Sequence, residues 1–457
     1  MEADVLVSTA AEHDSREGRA MDRQHFLEGI AARDLTIGVI GLGYVGLPLV
    51  IGFAEAGYRT VGFDVDGERV AAVNAGRSHI EDVATDRVAA MVAAGSFEAS
   101  NEGAALAQAD AVFIAVPTPF DSAKTPDLAY VQAAARTLRE AIHPGMLVIL
   151  QSTTYPGTTR EIVQPTLEES GLRAGDDFWL AFSPERVDPG NPHWGLRNTP
   201  KLVGGIDGAS TELAQALLES AMETPGLVTT LSSPEAAELA KLLENTYRAV
   251  NIALVNELAV LCHEMGIDLW EVIDGAGTKP FGFQAFYPGI GAGGHCIPVD
   301  PYYLSWAARR VDFTTHFIEL AAETNLGMAD YVVRRVTKLL NDQGKAIHGS
   351  RILCYGAAFK PNVADMRNSR AVRVMELLGE AGADLAYHDP RVPALRVGAR
   401  ELKSVELTDA ELATADLVVL LVSHRELDVE HVLATAPLVF DAVNAAGRST
   451  EGNLERL

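Results

Sequence analysis

A chain of 457 residues exceeds what one hydrophobic core holds, so roughly two to four domains are expected. Apolar residues make up 48% and charged residues 22%, a globular composition. The net charge of −25, from 62 acidic against 37 basic side chains, excludes the basic footprint of a nucleic-acid binder.

Taken in chain order, residues 1–34 are charged and without periodicity, and are expected to form a mobile tail. "LTIGVIGLG" then predicts a strand, "YVGLPLVIGFAEAG" a helix and "RTVGFDVD" a second strand. "ADAVFIAV" and "GMLVILQST" follow, again alternating with helical stretches; short apolar strands between helices imply a parallel sheet covered on both faces. From Ser233 to Gly266 the pattern predicts one long helix: Ser233 caps it, Pro234 and Glu235 suit its first turn, and Gly266 stops it. At 1.5 Å per residue it is a rod of roughly 45–50 Å, a length suited to spanning domains or building an oligomer interface. From about residue 350 the alternation resumes with "RILCYG", "RAVRVMELLGEAG", "DLAYHDP", a helix near 408–415, "DLVVLLVS" and "PLVFDAV". The expected fold class is α/β, with two Rossmann-like doubly wound units joined by a central helical segment.

The three cysteines, Cys262, Cys296 and Cys354, match no zinc spacing and are too few for a disulfide scaffold. A reduced, cytoplasmic setting without a structural metal is expected. No apolar run reaches the length of about 18 residues that a membrane span needs, and the N-terminus carries no secretory pattern.

Two stretches fit G-x-G-x-x-G. Gly41, Gly43 and Gly46 stand between a predicted strand and a predicted helix, and Asp64 ends the next strand eighteen residues past Gly46. That context is the dinucleotide fingerprint, and a carboxylate at Asp64 favours NAD by repelling a 2′-phosphate. Gly289, Gly291 and Gly294 share the spacing but not the context, because "KPFGFQAFYP" precedes them and Pro298 and Pro301 follow. This is an irregular loop in which backbone approaches something closely. It leads to Cys296, which is either a thiol delivered to a ligand or an inert core cysteine. Cys262 and Cys354 read as inert.

The motifs "GLGYVGLPL", "VPTP", "STTYPGTT", "SPERVDPGN", "KLLENTYRAVNIALVNELA", "GGHCIPVDP" and "AFKPNVADMR" occur in this order. Over about residues 35–450 the chain resembles the UDP-glucose/GDP-mannose dehydrogenase family. The resemblance implies an NAD-binding domain at 35–225, a central dimerising domain at 226–330 and a nucleotide-sugar domain at 331–457, with a homodimer through the long helix. It implies two-step oxidation of a sugar C6 alcohol to the carboxylate, two NAD per sugar. Cys296 is then the nucleophile that forms a thiohemiacetal and a thioester, Lys241 and Asn245 are donors on one helix face, and Asp300 acts on the hydrolytic water. Without the resemblance, Lys241 and Asn245 would equally suit a solvated stripe. Glu185 is implied as the carboxylate beside the sugar, and Thr118 as a hydroxyl near the reacting group. For NAD the resemblance adds Tyr44, Val45, Arg69, Thr118, Thr153 and Arg367. For the UDP-sugar it adds Arg186, Val187, Arg248, Phe286, Tyr287, Gly291, Gly293, Phe359 and Lys360. His295 reads as structural.

Within the family the loop sequences look most like the branch acting on UDP-N-acetylglucosamine, with UDP-glucose and UDP-N-acetylmannosamine as alternatives. The competing readings are a two-electron dehydrogenase and a non-catalytic nucleotide-sugar binder. The chain departs from the family pattern at Asn368 (an acid in the family) and at Arg370, Ile290 and Ala329 (prolines in the family).

Overall fold

The structure is a computed structural model that describes residues 23–80, 82–121, 124–188, 190–191 and 193–457. The chain divides into two compact units, residues 1–242 and 243–457, with the division inside the helix Pro234–Met265.

The first unit is built on eight strands: β1 (Thr36–Ile40), β2 (Arg59–Phe63), β3 (Phe97–Ser100), β4 (Ala111–Ile114), β5 (Leu147–Leu150), β6 (Trp179–Phe182), β7 (Lys201–Gly205) and β8 (Val228–Thr230). They lie in the order β3-β2-β1-β4-β5-β6-β7-β8. All pairs are parallel except β6 with β7. β1, β4, β5 and β6 are buried along their whole length, which is why they read as apolar runs without alternation. The strand order reverses between β1 and β4, and open α/β sheets bind ligands at the carboxyl edge of such a switch point.

The expected mobile tail is corrected in part. Residues 1–22 lie outside the described residues, but Arg23–Ala32 forms a helix with Phe26 and Ile30 buried. Phe26 meets Trp179 edge-on, ring centroids 5.3 Å apart. Two apolar residues four apart make one helix face, a signal too narrow to stand out in a charged segment.

The long helix runs as its termini predict. Ser233 Oγ accepts the Ala236 N–H at 3.3 Å, and Gly266 ends the helix at φ +68°. In the second unit its later turns pack Val255 and Ala259 against Leu269 and Ile273 of the helix Leu269–Gly277. Helices Asp300–Arg309 and His316–Asp342 follow. Met328 and Ala329 are buried in the latter helix, which continues through the position where the family pattern has proline.

The second sheet contains β9 (Arg351–Tyr355) and β10 (Asp384–His388); β11 (Ala394–Val397) and β12 (Arg400–Lys403) form a separate hairpin. β13 (Leu417–Leu420), β14 (Val439–Asp441) and β15 (Leu454–Arg456) complete the sheet in the all-parallel order β10-β9-β13-β14-β15. Among the described residues no helix is long and apolar enough to cross a membrane.

Candidate active site

The turn between β1 and the helix Gly46–Glu55 needs its glycines for two different reasons. A Cβ on Gly41 (φ +93°) would stand 2.6 Å from the Ala115 carbonyl oxygen, and one on Gly46 would stand 1.7 Å from that of Gly41. Those two glycines close the turn on itself. Gly43 has nothing within 4 Å, so its face is open to a ligand at the positive end of a helix. Asp64, 5% exposed, accepts N–H groups from Leu42 and the Arg69 guanidinium, each at 2.8 Å. Tyr44 is exposed, and Val45 packs against the core. Thr118 and Thr153, both half-buried, follow β4 and β5 at the same sheet edge. An open glycine, a helix N-terminus and a carboxylate at the end of the neighbouring strand fit NAD: Gly43 would suit its pyrophosphate and Asp64 a ribose hydroxyl.

Further along this edge Glu185 follows β6 and is enclosed by donors. Its Oε1 accepts the backbone N–H groups of Arg186 at 2.7 Å and Val187 at 2.9 Å. Its Oε2 accepts from the Gln151 amide at 2.9 Å and lies 3.5 Å from the Lys201 ammonium. Burial is the largest influence and pushes this carboxyl up, but Lys201, the two N–H groups and Lys241 together hold it below the ordinary range. Gln151 and Lys201 escape the sequence reading because neither belongs to a recognisable motif. Lys241 is 8% exposed, so it does not belong to a solvated stripe. Three residues before it, buried Glu238 accepts N–H groups from Gly157 and Thr159 at 2.6 and 2.9 Å and the Thr159 hydroxyl at 2.7 Å. Glu238 thereby ties the "STTYPGTT" segment to the helix that carries Lys241.

In the second unit, the Cys296 carbonyl accepts the N–H groups of Val299 at 3.0 Å and Asp300 at 2.8 Å, so the thiol and the carboxylate stand one turn apart. Asp300, 3% exposed, accepts a hydrogen bond from the Asn245 amide. Asn245 is four residues from Lys241 and shares its helix face. Two buried asparagines position the glycine loop. Asn256 accepts the Gly289 N–H at 2.9 Å and donates to Asn325 Oδ1 at 2.9 Å; Asn325 donates to the Ala249 carbonyl at 3.0 Å. Asparagine inside a helix has poor propensity, which is the one signal that marks these two in the sequence.

Three glycines of this loop lie close against other parts of the second unit. A Cβ on Gly291 would stand 2.3 Å from the Asn325 carbonyl oxygen, one on Gly293 3.1 Å from that of Asn368, and one on Gly294 2.9 Å from the Phe359 ring. At these three positions a side chain would meet protein, whereas a Cβ on Gly289 would meet nothing within 4 Å. The departures from the family pattern lie along this seam. Asn368 (φ +51°) donates to the Gly294 carbonyl at 3.1 Å, Arg370 to the Leu326 carbonyl at 2.7 Å, and Ile290 is buried in the core of the second unit. His295 Nδ1 lies 3.3 Å from an Arg367 nitrogen, and Asp365 binds that guanidinium at 2.6 Å.

The remaining sugar-nucleotide candidates are dispersed over this unit. Phe286 meets Tyr247 edge-on, Tyr287 stacks on Trp270 at 5.3 Å, and Arg248 is exposed on the long helix. Phe359 and Lys360 follow β9 on a turn held from below. Asp389, buried, accepts the N–H groups of Ala357 and Ala358 at 2.6 and 3.2 Å. Buried His424 lies 3.1 Å from the same carboxylate oxygen and takes the Asn362 N–H on its other nitrogen at 3.0 Å.

Three family models match the chain: the NAD-binding, central and UDP-binding domains of the UDP-glucose/GDP-mannose dehydrogenase family, over residues 35–222, 235–326 and 353–448. A UDP-N-acetyl-D-glucosamine 6-dehydrogenase of Pseudomonas aeruginosa is 38% identical over 79% of this chain and 84% of that protein. A UDP-N-acetyl-D-mannosamine dehydrogenase of Salmonella typhi is 36% identical over 86% and 94%. The solved structure of a UDP-D-ManNAc dehydrogenase from Pyrococcus horikoshii superposes with a TM-score of 0.84 at 31% identity, covering 92% of this chain and 99% of that one. With its open glycine turn, two Rossmann-like sheets and full-length likeness, the chain belongs to the UDP-glucose/GDP-mannose dehydrogenase family, as an NAD-dependent UDP-sugar dehydrogenase.

Proposed function

We propose that the chain oxidises the C6 alcohol of UDP-N-acetylglucosamine to the uronate, with Cys296 as nucleophile. The observation that carries this reading is the single turn from Cys296 to Asp300, whose carboxylate is engaged by Asn245 on the helix of Lys241. Gly41, Gly43, Tyr44, Val45, Gly46, Asp64 and Arg69, with Thr118 and Thr153, would hold NAD, Arg367 being the further candidate that the family resemblance adds; NAD would supply the acceptor for the two hydrides that oxidation of C6 to the acid releases. The thiolate of Cys296 adds to the C6 aldehyde, forming the C–S bond of the thiohemiacetal, because an aldehyde has no hydride to release until a nucleophile has added. Lys241 and Asn245 donate to the oxygen that carries the developing negative charge. Asp300 orients the water whose attack on the thioester breaks the C–S bond and returns the thiolate. Glu185 stays ionised beside the sugar, and Thr118 holds the reacting hydroxyl. Arg186, Val187, Arg248, Phe286, Tyr287, Gly291, Gly293, Phe359 and Lys360 form the sugar-nucleotide contacts.

The 38% identity to a UDP-N-acetylglucosamine 6-dehydrogenase supports this substrate. UDP-N-acetylmannosamine is the second reading, favoured by the structural likeness to the Pyrococcus protein. We further assign the exposed residues Leu243, Tyr247, Leu254, Leu261 and Met265, a stripe along the long helix, to a homodimer interface in the cytoplasm. The test is the number of NADH formed per sugar consumed, with UDP-N-acetylglucosamine, UDP-N-acetylmannosamine and UDP-glucose compared by kcat/KM. Two NADH and the highest kcat/KM on UDP-N-acetylglucosamine are expected, and one NADH would exclude the thioester. Cys296→Ala should lower acid formation by about 10⁴-fold; unchanged turnover would overturn the mechanism. A monomer in sedimentation at micromolar concentration would remove the dimer.

A further inference from the structure

We propose that Lys201 is a positioning residue of the active site: its buried ammonium holds the Glu185 carboxylate ionised and in one orientation. The proposal rests on the reading of Glu185 as a carboxylate that faces the sugar. Lys201 is 4% exposed, although lysine ordinarily carries its charge out to water. It opens β7, the strand that runs antiparallel to β6, so the first residue of β7 lies beside the segment that follows β6 and carries Glu185. Its nitrogen is 3.5 Å from Glu185 Oε2, which also takes the Gln151 amide at 2.9 Å. With the two backbone N–H groups on Oε1, three hydrogen bonds and this ion pair meet the carboxylate.

Three elements and the loop of Glu185 itself supply these groups: Gln151 after β5, Lys201 on β7, Lys241 on the long helix, and the N–H groups of Arg186 and Val187. Of the charges among them, Lys201 does most to counter the burial that would otherwise protonate Glu185. Removing one partner of a buried ion pair leaves the other charge uncompensated. Without Lys201 the Glu185 carboxyl therefore titrates at higher pH and a smaller fraction is ionised under mildly acidic conditions. A residue that only filled space would lower activity by the same factor at every pH.

The experiment is the pH profile of kcat/KM from pH 5.5 to 9, read as NADH formation, for the full chain and for Lys201→Met, Lys201→Gln and Lys201→Arg. The acid limb of Lys201→Met should move to higher pH, with a loss at pH 6 about five- to tenfold greater than at pH 8.5. Lys201→Arg should restore the limb. Lys201→Gln keeps a donor and removes the charge, so it should shift like the Met variant and serves in its place if that one does not fold. A loss uniform across pH, or profiles that coincide with the unmodified protein, would overturn the proposal. If the unmodified protein forms two NADH per sugar and the variants leave the limb in place, only the role of Lys201 fails. If the unmodified protein turns over no UDP-sugar, the proposed function fails instead. Infrared titration of the carboxyl band in Lys201→Gln against Glu185→Gln then reads the Lys201–Glu185 coupling directly, and an unmoved band overturns it.

Discussion

The turn after β1 and the turn after β9 occupy corresponding places among the parallel strands of two sheets, and they differ in what fills them. After β1, Asp64 takes the amides of Leu42 and Asp66, and Gly43 is open. After β9, Asp389 takes the amides of both Ala357 and Ala358, with His424 against it, and a Cβ on Gly356 would stand 2.5 Å from Val422. Asp64 and Asp389 thus stand in matching places at the ends of β2 and β10, and the turns differ at their third residue, open Gly43 in the first and buried Ala358 in the second. The strand–turn–helix arrangement by itself does not make a dinucleotide site; an unoccupied glycine face does.

The most damaging way to break this comparison is to empty the second turn. Asp389→Ala would leave the N–H groups of Ala357, Ala358, Arg391 and Val392 without their acceptor, together with His424. It should cost about 3–5 kcal/mol; a denaturation midpoint equivalent to less than about 1 kcal/mol would show that the turn holds without it.

Glu238 sharpens the contrast, since it also caps buried amides but with fewer donors and no histidine. Burial pushes its carboxyl from 4.5 up to about 7 despite the bonds from Thr159 and Gly157. Between these two values the folded chain keeps a proton that the unfolded chain has lost, so this group's contribution to stability falls as pH rises through that window and is level above it. Glu238→Gln removes the effect. The stability of the variant relative to the unmodified protein should rise by about 3 kcal/mol between pH 4.5 and 8. A difference that stays flat with pH in thermal melts would contradict it.

Filling the open turn is the next test. Gly43→Val adds atoms where no protein atom lies within 4 Å, so the melting temperature should hold while NAD binds about a hundredfold more weakly, ~2.7 kcal/mol. Unchanged NAD affinity in a fluorescence titration would place the cofactor elsewhere. The smallest expected effect is in the other glycine stretch. Gly294→Ala meets the Phe359 ring at 2.9 Å with φ at +93°, a strain of about 1–2 kcal/mol. It should slow alkylation of Cys296 and lower kcat about tenfold while NAD affinity stays as it was. Equal loss of NAD binding would erase the distinction between the two stretches.

Much of this was legible in the sequence because it depends on neighbours along the chain. Strands buried on both faces read as apolar runs, Ser233 and Gly266 mark the long helix, and Gly41 to Gly46 with Asp64 mark the cofactor turn. The helix Arg23–Ala32 was hidden, since only two residues of it, Phe26 and Ile30, are buried. Lys201, Gln151, Asp389 and His424 were hidden for another reason: each meets its partner from a distant segment, and a lone polar residue carries no period.

By itself the sequence determined the element order, the NAD fingerprint and the likeness to one dehydrogenase family, all of which rest on spacing within short segments. Only the tertiary structure decided which glycines face open space and which face the chain, and which buried charges find partners. Those outcomes depend on distances between segments that strand pairing and helix packing bring together, and no local pattern encodes them.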